Sequence, residues 1–225
     1  MPRWLFPILA VALSLVFSAL VGKQYLERRK PHQLLWAISF LLFAFATFAE
    51  FYSEVRGWNP ILYKLYYPST AILVGVMGAG TMYLLANRQM AHTFLGLLIL
   101  TSLVMIWKSL SADLIMEAFV PGQTVAGEAM PDSVRAFSPI LTISGSLALL
   151  IGAVYSWAKT GTFFNVLIAL GTLILGASGS AARFGQPEIL YFGETLGLTV
   201  LFIGFLKSRE VVAARDRKRA IRARR

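Results

Sequence analysis

Long apolar stretches separated by short polar breaks run the length of the chain. Six nearly unbroken stretches lie at 4–22, 34–51, 61–86, 91–110, 138–157 and 163–182, and a seventh at 189–206 carries Glu194 as its single charged residue. A hydrocarbon layer about 30 Å thick takes about 20 residues of helix, because every backbone N–H and C=O within it has to be satisfied inside the segment. The pattern therefore predicts an all-α, polytopic bundle of seven transmembrane helices over residues 1–207, followed by a basic tail at 208–225.

Composition agrees with this reading and removes others. At 57% hydrophobic and 14% charged residues, with a mean hydropathy of +0.66, the chain lies far from a soluble domain. A net charge of +10 would fit nucleic-acid binding, but the bases sit beside apolar runs or in the last 19 residues, so the excess is topological and no nucleic acid is expected. Cysteine is absent, which excludes disulfides, thiolate metal sites and a cysteine nucleophile.

Charge placement sets an orientation. Arg3 precedes the first stretch, whereas Lys23, Arg28, Arg29 and Lys30 follow it, the order of a retained helix with its N-terminus outside rather than of a cleaved signal peptide. With that start, the cytoplasmic side collects these four bases, Arg88, Lys159 and nine more from Lys207 to Arg225, and the outside keeps six bases and eight of the eleven acids. The expected location is the cytoplasmic membrane, multi-pass, with the C-terminus inside. The one long connection, 111–137, falls outside and is acidic, with Asp113, Glu117, Glu128 and Asp132. Pro121, Gly122 and Pro131 break it, predicting a short interfacial helix at 112–119 and then a cap. Its functional reading is a lid over an outer cavity; its plain reading is a connector.

A repeat emerges at an offset of 132 residues. Pro7-Ile8-Leu9 with Ser14-Leu15 matches Pro139-Ile140-Leu141 with Ser146-Leu147, and Gln33, Leu35, Ala37 and Leu41 fall on Asn165, Leu167, Ala169 and Leu173. After a shortening of four residues, Gly57 and Ile61-Leu62-Tyr63 meet Gly185 and Ile189-Leu190-Tyr191. Stretches one to three and five to seven would then be parallel repeats with the fourth as linker, a plan used by transporters; shared membrane composition is the alternative. This arrangement resembles the three-plus-one-plus-three plan of sugar-transporting SWEET proteins and of opsins, and length and pattern resemble uncharacterised bacterial seven-helix integral membrane proteins. The resemblance is one of topology. Ile8 and Ile140 stand where the PQ-loop motif has Gln, and the seventh stretch has no mid-span Lys for a retinal Schiff base, Lys207 lying at its end. Neither sugar transport nor retinal binding is implied, because fold alone does not carry function.

Ionisable groups in apolar helices are costly and mark candidate sites. Glu50, Glu54, Lys64, Lys108, Arg183 and Glu194 all fall toward the outer ends of their stretches. Tyr63 and Tyr67 flank Lys64, and Tyr191 precedes Glu194 by three residues. Pro68 cannot donate to the Lys64 carbonyl, which predicts a kinked or open turn there. Together Glu50, Tyr63, Lys64, Tyr67, Lys108, Arg183, Tyr191 and Glu194 form the candidate ligand-binding set, with Glu194 expected in the bundle interior against Arg183 or Lys108, and Lys64 against Glu50. The plain reading is a belt of interfacial ion pairs and aromatic anchors.

The remaining motifs are weak. His32 and His92 would fall at the cytoplasmic ends of the second and fourth helices, which is too little for a haem; no cofactor and no metal are expected. Ala71, Gly75 and Ala79, and Gly176 with Ser180 and Ala177 with Ala181, have the spacing of close helix packing. Gly75–Gly80 lies within a span, so its glycines are no dinucleotide fingerprint. The tail is expected to continue the seventh helix, with positive-inside anchoring as its default reading, membrane lipid of anionic charge able to attract it, and a cytoplasmic protein partner as the alternative. No catalytic constellation is evident, so no enzyme activity is expected. The functions in view are binding or sensing of a small molecule or lipid at the outer cluster, transport of a small solute, or a structural role in a membrane complex.

Overall fold

Helix boundaries fall where the apolar pattern breaks. The computed structural model describes residues 4–120, 125, 127–182 and 187–223, and at 180–182, 187, 188 and 208–223 it describes the backbone alone. The helices are α1 (Leu5–Arg28), α2 (Pro31–Arg56), α3 (Pro60–Leu85), α4 (Arg88–Ser111), α5 (Asp132–Arg135), α6 (Phe137–Thr160), α7 (Phe163–Ala182) and α8 (Pro187–Ala223). No strand occurs among the described residues. The tail continues α8 without a break as far as Ala223.

Turn chemistry explains why the connections can be so short. Asn59 caps α3, its Oδ1 accepting from the Ile61 and Leu62 amides at 2.9 and 3.3 Å, and Pro60 occupies the first helical position. Asn87 caps α4 in the same way, accepting from the Met90 amide at 2.9 Å. Gly161, at φ 62°, supplies the left-handed residue that ends α6.

Among the described residues, six helices are long and apolar enough to cross a membrane: Leu5–Arg28, Pro31–Arg56, Pro60–Leu85, Arg88–Ser111, Asp132–Thr160 and Ile189–Lys207. The apolar part of α7 over its described side chains, Phe163–Gly179, is shorter. Large apolar residues cover the outside, among them Leu97, Leu100, Leu103 and Trp107 on α4, each at least 60% exposed. Burying such a surface in lipid removes the cost that water would impose.

Six long helices close into a ring. α1 packs on α2, α2 on α3, α3 on α6, α6 on α7, α7 on α8, and α8 returns to α1. α4 stands outside, against α3 and α6. Glycine makes the closest seams. A β-carbon on Gly78 would fall 2.6 Å from the Gly145 Cα, and one on Gly171 would fall 2.7 Å from the Gly197 carbonyl oxygen, so only glycine admits these approaches of α3 to α6 and of α7 to α8. Of the expected packing residues, Ala71, Gly75 and Ala79 are buried in α3. Gly176 and Ala177 are exposed instead, and Ser180 and Ala181 lie outside the described side chains. In this pair of helices the packing glycines are Gly171, Gly193, Gly197 and Gly204.

Hydroxyl and indole groups tie the ring together through backbone carbonyls. Ser18 Oγ donates to Ala37 O at 2.8 Å, Ser39 Oγ to Leu73 O at 2.6 Å, Trp36 Nε1 to Met77 O at 3.1 Å and Thr195 Oγ1 to Phe6 O at 3.1 Å. The expected opening at Pro68 is resolved differently. α3 runs unbroken through that residue, and Ser109 Oγ donates to the Lys64 carbonyl at 2.7 Å, replacing the amide that proline lacks.

The long connection is shorter in helix than its sequence predicts, with one 3-10 turn at Met116–Ala118 in place of a helix over 112–119. Its described residues are nonetheless packed. Val125, Ala129, Met130 and Val134 are buried, the Ile115 amide donates to Ala129 O at 3.0 Å, and Gly127 sits directly against the Tyr67 ring.

Candidate functional site

Within the ring lies a cavity of about 570 Å³, on the side of the molecule that carries the long connection. Its wall comes from α2, α3, α6, α7 and α8, and Val125 of the connection roofs it. α6 contributes Ser138, Thr142 and Ser146, one above the other at four-residue spacing. Phe43, Leu73, Val74, Leu147 and Leu175 make the wall mostly apolar, with Thr47, Thr70 and Thr172 between them.

Three carboxyl groups meet at the convergence of α2, α3 and α8. Glu50 is only 2% exposed, and its Oε1 accepts from the Tyr66 hydroxyl at 2.7 Å. Glu54, one turn along α2, accepts from the Tyr191 hydroxyl at 2.9 Å. The carboxyl group of Glu194 is in hydrogen-bonding contact with that of Glu50. The Oε2 atoms of Glu50 and Glu194 are both buried without a donor facing them. Two ionised carboxylates have only acceptors, so the contact closes as a hydrogen bond when a proton sits between them. Trp58 leans on Tyr66 with ring centroids 4.8 Å apart and also lines the cavity.

The structure gathers some of the expected residues and separates others. Glu50, Tyr67, Tyr191 and Glu194 line the cavity. Tyr63 does not; it is fully buried behind the wall, donating to Val125 O at 3.3 Å and packing edge-on against Phe119, so it anchors the connection. Lys64 is a correction, because its Nζ donates at 3.1 Å to Leu110 O rather than to Glu50. It thereby satisfies a carbonyl at the C-terminal end of α4, where a cation is also favoured by the helix dipole. Lys108 is a second correction. It rides on α4, outside the ring, and α4 makes no contact with α8, so it is on the wrong side of α3 to meet Glu194. Arg183 lies outside the described residues. Among the described residues, the partner of Glu194 is an acid.

No family model, curated protein or solved structure matches this chain, so its function has to be read from the ring and its contents.

Tyr66 and Trp58 are functional candidates that a reading of charges alone passes over. Tyr63, Tyr66, Tyr67 and Thr70 form an i, i+3, i+4, i+7 stripe, a helical face that was visible in the sequence. The α6 hydroxyls had the same kind of signal in Ser138, Thr142 and Ser146. The histidines lie elsewhere: His32 packs on Trp36, and His92 Nδ1 is 2.6 Å from the Tyr83 hydroxyl. Among the described residues no group of three His, Asp or Glu side chains is arranged to hold a metal.

At the tail side of the ring a second, smaller cavity of about 80 Å³ is lined by Phe17, Val21, Trp36, Leu85, Leu201 and Phe205, among others. Phe40, Met77, Leu149 and Thr172 border both cavities and form the layer between them. Phe17 stacks on Phe40 at 3.9 Å and meets Phe202 and Phe205 at 5.1 and 4.8 Å.

Proposed function

We propose that this chain is an integral protein of the cytoplasmic membrane, with seven spans and its N-terminus outside, that binds a small molecule inside the helix ring. The observation that carries this reading is the cavity of about 570 Å³ with buried, donor-less carboxyl oxygens in its wall. Ligand pockets are apolar concavities of this size with a few convergent polar groups, and ionisable residues inside a membrane bundle mark such pathways. The bases at 23–30 and in the tail at one end of the ring, with the acidic connection at the other, support the orientation.

Transport of that molecule is the second reading, and the ring itself favours it. Exchanging α1 for α6, α2 for α7 and α3 for α8 maps every neighbour pair of the ring onto another, and leaves α4 as the unmatched linker. The sequence offsets of 132 and 128 pair the same helices and place Tyr66 opposite Glu194, the two residues that hold Glu50. A cavity on the axis of two repeats, wide toward one face and giving way to packed aromatic rings toward the other, has the layout of alternating access.

A structure determined in nanodiscs of the native membrane tests the binding reading. Density for a solute between Glu50 and Glu194 is expected; lipid along the outer wall with a collapsed or water-filled ring would leave the structural role instead.

A further inference from the structure

The ring interior has a lopsided inventory. Every charged side chain that faces the cavity among the described residues is acidic, and the remaining polar side chains are hydroxyls and the Trp58 indole. Among the described residues, Glu54 on α2, Tyr66 on α3 and Tyr191 on α8 are titratable groups that face the Glu50–Glu194 pair, and Tyr67 on α3 lines the same cavity. The described parts of α1, α6 and α7 bring no charged group to it.

Such an interior discriminates among ligand classes. Among the described residues an anion would meet acids with no base beside them, at low dielectric. A small hard cation such as calcium asks for six to eight oxygens at close range, and the wide apolar wall does not supply that cage. A sugar would donate to the two carboxyl oxygens but would bury its remaining hydroxyls against Phe43, Leu73 and Leu147, which offer them no partners. A cation with an apolar body satisfies all of it. Its charge faces the carboxyl pair, the Trp58 and Tyr66 rings lie beside that charge as cation–π partners, and its body takes up the apolar wall.

We propose that the ligand class is a lipophilic organic cation, bound between Glu50 and Glu194 in exchange for the proton that otherwise joins them. This rests on the reading of the ring interior as a binding site. The exchange balances: the cation enters, one proton leaves the carboxyl pair for water, and the charge held in the cavity is unchanged. Protons and cation compete for the same oxygens, so binding weakens as pH falls.

The test is isothermal titration calorimetry of the full chain in nanodiscs with tetraphenylphosphonium, tetraethylammonium and neutral triphenylphosphine oxide. Repeating it in buffers of different ionisation enthalpy counts the protons released. At least one of the two cations is expected to bind the wild-type chain with proton release, and to bind more weakly at lower pH. Glu50→Gln and Glu194→Gln should each weaken it by roughly 30-fold or more, the loss expected when one partner of a buried charge pair is removed. Proton release by the wild-type chain needs no variant, so a misfolded glutamine variant would not leave the question open. Binding of the neutral probe alone, abolished by the cavity-filling Thr142→Trp, would overturn the cation class and keep the binding site. Binding of a cation without proton release would overturn the exchange. No binding of any of the three probes would overturn the cation class together with the binding reading on which it rests.

Discussion

On the connection side the ring stands open around about 570 Å³ with Glu50, Glu194, Tyr66 and a ladder of hydroxyls, whereas on the tail side the ring narrows to about 80 Å³ between Phe17, Trp36, Phe205 and their neighbours. α2, α3, α6, α7 and α8 contribute to both chambers, and the layer of Phe40, Met77, Leu149 and Thr172 is shared. Both chambers have aromatic rings and hydroxyls in their walls, so what differs is how the rings are placed. On the tail side Phe17 of α1 meets Phe40 of α2 and Phe202 and Phe205 of α8 across the ring, and together they fill it, whereas on the connection side Trp58, Tyr66, Tyr67 and Tyr191 stand in the wall around an open middle. The buried carboxyl groups belong to the wide chamber. An acid can be tolerated in the wide chamber because water, a proton or a ligand can reach it, and the filled chamber has no such room.

The contrast can be broken first at Phe17. Phe17→Ala removes the ring that stacks on Phe40 and meets Phe202 edge-on and Phe205 at a tilt, and should cost about 3 kcal/mol, the low end for Phe→Ala in cores because lipid removes part of the transfer contribution. Thermal unfolding followed by size-exclusion fluorescence measures it, and a loss close to zero would mean that the tail-side chamber is not a packed plug. A smaller loss is expected at the seam both chambers share. Gly145→Leu pushes α6 away from Val74, Gly75 and Gly78 and should cost about 1–3 kcal/mol, whereas Gly96→Ala on the outer helix α4, with no atom near the new methyl group, should be neutral or slightly stabilising. Equal effects from the two glycines would contradict the ring as drawn.

Much of the architecture was legible in the apolar pattern, because a helix that must satisfy its own backbone in lipid announces its length. The interior position of Glu194 was legible for the same energetic reason. Its partner was not. Depth along a helix can be read from sequence, but the choice between Lys108 and Glu50 depends on which helices are neighbours, and nothing in the residues of α4 says that it stands outside the ring. Lys64 misled in a related way: charge and depth matched Glu50, yet the Leu110 carbonyl at the end of α4 was nearer. Tyr66 carries no charge and does not flank Lys64 in the way Tyr63 and Tyr67 do by helical spacing, yet the burial stripe of α3 runs through Tyr63, Tyr66 and Tyr67.

The most direct measurement of the central claim uses the absence of cysteine in the native chain. Ser146→Cys places one thiol in the wall of the wide chamber, where membrane-impermeant methanethiosulfonates of either charge can be applied to intact cells. Reaction from outside, faster with the cationic reagent than with the anionic one, and slowed relative to that difference by Glu50→Gln, is the result expected of an accessible acidic cavity within the membrane. Absence of reaction from outside, or equal rates for the two reagents, would contradict it.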